Sequence, residues 1–318
     1  MTASLRYRRT SGFTLVELLI VVVIIGILAG IALAALAAAR QSARISKTEA
    51  TIAKLHTIIM AKYESYRTRR VPIDSSVITG KTTQQIARMR LDGLRDLMRM
   101  EMPERWNDIN DPPVTFSYPS PWSFSFALGQ VPSLTNAWRT QLVQRPPGGD
   151  YDSAECLYMI VAANPDDLAQ FTDTEIGDAD GDGYREFIDG WGNPIKFLRW
   201  APAFNDSDIQ WNIVPVGDAS QMAAAAKDDH DPFDVRNADA KSWRLMPLIY
   251  SAGPDGIYDI SLGDNHFTWS PCFNSDGSAR VVGQPLDSKN TSKTNPADNP
   301  NGSEDHYDNI TNHRLGVR

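Results

Sequence analysis

The chain is poor in the groups that carry out covalent chemistry. It has two cysteines, Cys156 and Cys272, and five histidines in 318 residues. It holds no Gly-x-Ser-x-Gly elbow, no His-Glu-x-x-His pair and no glycine-rich phosphate loop ending in lysine, and neither cysteine lies in a partner motif. Enzymatic activity is therefore not expected. Basic charge is also short: 31 Lys and Arg face 39 Asp and Glu, a net charge of −8. Binding to nucleic acid needs clustered cations against the phosphates, so no nucleic-acid partner is expected, and the surface suits cations better. In an oxidising compartment Cys156 and Cys272 could close one long loop as a disulfide; otherwise they are two small buried hydrophobes.

A second shortage is local. From Leu18 to Ala39 no side chain is charged or hydrogen-bonding. As a helix rising 1.5 Å per residue this run spans about 33 Å, enough for the hydrocarbon core of a bilayer. Arg6, Arg8 and Arg9 precede it and place the N-terminus on the cytoplasmic side; Arg40 and Arg44 beyond it weaken that bias without reversing it. No second long apolar run follows, so the rest of the chain is expected outside the membrane. Glu17 stands at the head of the run, where an acid needs a partner, since at mid-depth it costs about 2.5–3.5 kcal/mol and less near the edge. An amine would serve. A cut between Gly12 and Phe13 would create an α-ammonium on Phe13 able to pair with Glu17 of a neighbouring molecule. An ordinary secretory signal, with Ala35-Leu36-Ala37 as its cleavage site, competes with this reading, as does a plain membrane anchor. Against the signal peptide, the run exceeds the usual 7–15 apolar residues and begins with a glutamate.

Gly12-Phe13-Thr14-Leu15-Val16-Glu17 behind a short basic leader resembles the class III signal of type IV pilins and type II secretion pseudopilins. The resemblance implies cleavage between Gly12 and Phe13 by a prepilin peptidase, N-methylation of Phe13, and use of Glu17 in filament assembly. It implies as partners other copies of the chain or related pseudopilins, an inner-membrane assembly platform and membrane lipid. It also implies a single-pass inner-membrane protein with a periplasmic body, passing into a periplasmic or surface filament. Removing the leader's three arginines leaves 28 basic residues against 39 acidic, about −11.

The helical pattern continues past the apolar run. Ile45, Ile52, Leu55, Ile59, Tyr63 and Tyr66 recur at helical steps, with Arg44, Lys47, Lys54, Lys62 and Arg67 on other faces, and Pro72 ends the pattern. The expected organisation is a cleaved leader (1–12), a transmembrane and assembly helix (13–39), its amphipathic continuation (40–70), a helical and Pro-rich insertion (71–149) and an acidic, β-rich body with a polar tail (150–318). Within the insertion, 83–100 and 134–143 read as helices, the first with Arg88, Arg90, Arg95 and Arg99 away from its apolar side. Residues 150–163 read as a further helix; 194–200, 211–216 and 245–250 read as strands. Residues 283–302 read as a mobile loop. The fold class is α+β: a long N-terminal helix packed on a small antiparallel sheet with helical and loop insertions.

The sharpest chemical pattern in the body is Asp178-Ala179-Asp180-Gly181-Asp182-Gly183-Tyr184-Arg185-Glu186-Phe187-Ile188-Asp189. Acids at positions one, three, five, nine and twelve, with glycine at six, match a calcium loop, Tyr184 offering its carbonyl and Asp189 replacing the usual glutamate. No helical pair is evident around it, so it reads as a single structural calcium loop; the bland alternative is an acidic turn that binds nothing. Asp189-Gly190-Trp191-Gly192-Asn193-Pro194 and Ser251-Ala252-Gly253-Pro254-Asp255-Gly256 resemble turns of the major pseudopilin, in which calcium pins a C-terminal loop. That resemblance makes Asp255, Asp305 and Asp308 weaker calcium candidates. His230 among Asp228, Asp229 and Asp231 reads as a solvated acidic loop, His306 and His313 as polar tail residues, and Trp191 and Trp200 as buried against the sheet. The expected function is a structural pilin or pseudopilin subunit. The rivals are a membrane-anchored calcium- or glycan-binding module that never polymerises, and a secreted enzyme behind an ordinary signal peptide.

Overall fold

The computed structural model describes residues 14–148, 151–210, 219–262, 270–274, 278–286 and 309–315. Two compact units are distinguished, Met1–Arg44 and Ile45–Arg318. Helix α1 (Leu15–Ser65) runs through both and ends in a 3-10 turn, Tyr66–Thr68. In the first unit every side chain from Thr14 to Arg40 is exposed. It is the one helix among the described residues long and apolar enough to cross a membrane.

In the second unit α1 turns its apolar stripe inward. Ile52, Leu55, Ile59, Tyr63 and Tyr66 are each at most 2% exposed, while Ile45 stays partly open. Polar side chains on the same helix bond to the body, most of them buried. Thr51 Oγ1 and Lys54 Nζ donate to Glu175 (2.7 and 2.8 Å), Thr48 Oγ1 accepts the Gly190 N–H (2.8 Å), and the Tyr63 hydroxyl donates to the Leu245 carbonyl (3.0 Å).

The segment after α1 supplies α2 (Ser75–Ile78), α3 (Thr83–Glu101), α4 (Trp106–Asn110), the hairpin β1 (Phe116–Tyr118) with β2 (Phe124–Phe126), and α5 (Ser133–Gln144). Thr82 and Gln85 form a reciprocal capping box that starts α3. These elements share the core with α1: Met89, Leu97, Met98, Phe116, Phe126 and Trp138 belong to the same buried cluster as Leu55, Ile59, Phe197 and Ile249.

Then come α6 (Asp152–Ala162), α7 (Pro165–Leu168), the hairpin β3 (Ile176–Gly177) with β4 (Glu186–Phe187), β5 (Lys196–Leu198), α8 (Ala219–Asp228), β6 (Leu248–Ser251) and β7 (Ile310–Thr311). Strands β5, β6 and β7 form an antiparallel sheet in the order β5-β6-β7, with Phe197 opposite Ile249 and Tyr250 opposite Thr311. Helix α6 seats on this sheet, the Phe197 N–H donating to Ser153 Oγ (3.0 Å). The arrangement is α+β, with a long apolar helix and small antiparallel sheets.

Several local expectations are corrected. Arg88, Arg95 and Arg99, placed by periodicity on the polar side of α3, are buried: Arg95 pairs with Asp231 and Asp239 from beyond the helix (2.8 Å each), whereas Arg88 and Arg99 pair with Asp92 and Asp96 of α3 itself (2.8 Å each). Asp231 is thereby not in a solvated loop; it is 6% exposed, and His230 contacts Asp234 (3.1 Å). His313 is not a polar tail residue but is 1% exposed beneath Pro247. The start of the supposed mobile loop is paired: Gly283 and Leu286 donate to the carbonyls of Ser261 and Asp259. The strand expected at 211–216 and His306 lie outside the described residues. Trp200 is buried, at 4% exposure, and Trp191 is partly open.

Candidate functional site

Two places carry functional chemistry. The first is the head of α1. Gly12 and Phe13 lie outside the described residues, and the description begins at Thr14. Thr14 caps the helix: the Thr14 N–H and hydroxyl donate to Glu17 Oε2 (2.9 and 2.8 Å), and the Glu17 N–H returns a bond to Thr14 Oγ1 (3.3 Å). This is a capping box, in which acid and hydroxyl satisfy N–H groups that the first helical turn leaves unpaired. The Glu17 carboxylate is thus oriented at the N-terminal end of a helix whose apolar stretch is exposed as far as Arg40.

The second place is the turn between β3 and β4. Gly181 (φ +77°) and Gly183 (φ +90°) take the left-handed backbone that side chains resist, which folds Asp178, Asp180 and Asp182 toward one another. Each of these three offers one carboxylate oxygen, and the three atoms lie within 4.8 Å of one another. A second such group is Glu155, Asp180 and Glu186, bounded by the same 4.8 Å. Asp180 belongs to both. The turn is latched to the end of α5: Arg145 donates to the Gly183 carbonyl (2.9 Å), the Gly148 N–H donates to Asp182 Oδ2 (2.7 Å), and the Tyr184 hydroxyl donates to the Arg145 carbonyl.

The electrostatics of this centre are one-sided. Glu155 is 1% exposed and neither of its carboxylate oxygens has a hydrogen-bond partner; Glu186 is fully buried, with Oε2 taking the Ala179 N–H (3.0 Å) and Oε1 unpartnered. Among the described residues no lysine or arginine pairs with Glu155, Asp178, Asp180, Asp182 or Glu186. Burial, reinforced by Asp182, Glu186 and Asp180, pushes the Glu155 carboxyl up to about 8. Burial and the neighbouring Asp180, Asp178 and Asp182, opposed by the Ala179 N–H, push Glu186 up to about 7.

The twelve-residue pattern therefore needs two corrections. Asp189 does not face the other acids. Its carboxylate accepts the N–H groups of Trp191 (2.8 Å) and Asn193 (2.9 Å) and the Ser251 hydroxyl (2.7 Å), which ties the 189–194 turn to β6. In its place stands Glu155 from α6, which loop spacing cannot reveal. The only signal in the sequence is an acid set among the apolar residues Ala154, Cys156 and Leu157. Tyr184 is in the turn, its N–H donating to Asp182 Oδ1 (2.7 Å) and its hydroxyl reaching out to the Arg145 carbonyl.

Of the C-terminal calcium candidates, Asp255 is exposed and accepts the Ile257 N–H (2.9 Å), and Asp305 and Asp308 lie outside the described residues. Cys156 and Cys272 are both buried free thiols, so the disulfide option gives way to the reading as small hydrophobes. Burial raises both thiols well above their ordinary range or to about 12, which leaves them unreactive.

An exposed apolar helix segment headed by a capped glutamate, together with the motif that follows, supports a membrane-anchored, pilin-like protein. The family model for the prokaryotic N-terminal methylation motif matches residues 7–33, consistent with the type IV pilin and pseudopilin family and supporting a pilin-like precursor processed by a prepilin peptidase. No curated protein and no solved structure matches the chain.

Proposed function

We propose that the chain is a structural subunit of a periplasmic or surface filament built by a type II secretion or type IV pilus-like system. It acts by assembly, without turning over a substrate. The observation that supports this most is the methylation motif at residues 7–33 set directly on an apolar helix with Glu17 at its head. On this reading the peptidase cuts between Gly12 and Phe13, Phe13 is N-methylated, and the subunit waits in the inner membrane until the assembly platform extracts it. In the filament, the apolar halves of neighbouring copies of α1, or of related pseudopilins, replace lipid with one another. The Phe13 ammonium of one subunit then competes with Thr14 for the Glu17 carboxylate of its neighbour, offsetting the cost of an acid in an apolar surrounding.

Two measurements test this. N-terminal sequencing and mass analysis of the mature chain should give a methylated Phe13; a start near Ala38 would mean an ordinary signal peptide and would remove the assembly helix. Glu17→Ala should leave cleavage and membrane insertion intact while abolishing incorporation into filaments. Normal filaments built from the variant alone would leave a non-polymerising anchored module as the better reading.

A further inference from the structure

We propose that the body binds calcium through Asp180, an exposed acid which the inner triad Glu155–Asp180–Glu186 and the outer triad Asp178–Asp180–Asp182 have in common. This is independent of filament assembly.

The acids alone would not make a site. The independent observation is inside: the Glu155 carboxylate, 1% exposed, has two unpartnered oxygens, and the fully buried Glu186 has one. A buried carboxylate is normally satisfied by a cation or by N–H and O–H donors, because leaving it bare forfeits its hydration. Here the Ala179 N–H meets one Glu186 oxygen, and the groups gathered around the three unpartnered oxygens are further carboxylates, a set that a cation from solution would satisfy together.

The spacing admits a hard cation, and the donor set narrows the choice. Calcium holds oxygens at 2.3–2.6 Å, so oxygens on opposite sides of one ion lie roughly 4.6–5.2 Å apart. Both triads lie within a 4.8 Å limit. Magnesium demands closer, near-octahedral oxygens and sheds its waters reluctantly, which suits this dense carboxylate group less. Soft metals lack their ligands: the groups contain no sulfur and no imidazole.

Glu155 gives the ion a structural task. Asp178, Asp180 and Asp182 come from the β3–β4 turn and Glu186 from β4, whereas Glu155 comes from the first turn of α6. An ion held by both pins the hairpin to the helix that also seats on the sheet. Asp182 carries the connection on to Gly148 after α5.

The test uses the full chain in detergent, stripped with chelator and then titrated with calcium chloride. Calcium should raise the melting temperature in proportion to the logarithm of its concentration above Kd, since it binds the folded state alone. Glu155→Gln keeps the side chain's size, gives the buried site a neutral group and so leaves the stripped protein folded. It should weaken calcium binding by about tenfold or more, through loss of a charged ligand. Asp255→Asn, outside the site, should leave the affinity unchanged. An unshifted melting curve in wild-type protein overturns the proposal. So does a folded Glu155→Gln variant with wild-type calcium affinity, and an equal shift with magnesium chloride overturns the choice of calcium.

Discussion

His313 shows how a single side chain acquires its properties from surroundings far away in sequence. Its Nε2 lies 3.1 Å from the Pro247 carbonyl, and its ring meets Phe204 edge to face at 5.2 Å. Burial lowers its pKa to about 4, with the nearby His56 pushing the same way against the Pro247 hydrogen bond. In the unfolded chain the ring titrates near 6.5. The folded value is the lower one, so the unfolded state takes up the proton first. The neutral ring's contribution is complete above pH 6.5 and is lost as pH falls from 6.5 through 4. The gap corresponds to about 3 kcal/mol. Urea melts at a series of pH values should show this slope, and His313→Gln should flatten it; equal slopes in both proteins would assign the loss to other groups. Glu175 follows the opposite ordering of causes. Burial raises it, but Lys54, the Thr172 N–H and the Thr51 and Thr172 hydroxyls outweigh burial and hold it at about 2. What it contributes is present above the ordinary glutamate value of 4.5 and is lost as pH falls from there through about 2, so it meets the His313 window only at the acid end.

At the scale of elements, α1 divides its labour along its length. Leu28, in the first unit, is 60% exposed, whereas Leu55, in the second, is fully buried. Leu55→Ala should therefore destabilise the body by about 2–5 kcal/mol, through lost burial and the cavity left behind. Leu28→Ala should leave the body's denaturation unchanged and act only where the helix meets lipid or its neighbours. Chemical denaturation of the two variants compares them; equal losses would contradict the division. The stripe from Ile52 to Tyr66 was legible in the sequence because helical periodicity is local. The arginines of α3 were not. Periodicity placed Arg88, Arg95 and Arg99 on a polar face, and only the fold brings Asp231 and Asp239 against Arg95 and leaves that face dry. Such pairs cost desolvation that geometry must repay, so a sequence rule that puts charges outside fails where acid and base meet inside.

At the scale of the whole molecule, the second unit contains the main buried cluster, and that cluster joins α1 from Ile52 onward to the 71–149 segment and the sheet. A chain beginning at Ile45 should consequently fold as a soluble body with one cooperative melting transition. With Cys156 and Cys272 unpaired, reductant should not move that transition. Aggregation of the truncated chain, or a melting point lowered by reductant, would contradict this.

The sequence by itself determined what depends on neighbours along the chain. The basic leader, the glutamate at the head of an apolar helix, the capping box from Thr14, the long helix and the glycine-bent acidic turn all follow from composition and spacing within a few residues. Tertiary structure decided what depends on convergence. It turned Asp189 away to the Trp191 turn and to Ser251, brought Glu155 from α6 into its place, kept the two cysteines apart and enclosed His313. The physical reason is the same in each case. A carboxylate's role is set by which donors, cations and other acids lie within a few ångströms, and spacing along the chain reports those neighbours only inside a single turn. Thus the head of α1 could be read from the sequence as a processing and assembly site, whereas the acidic turn joined Glu155 in a two-element cluster of carboxylates only once α6 had packed beside it.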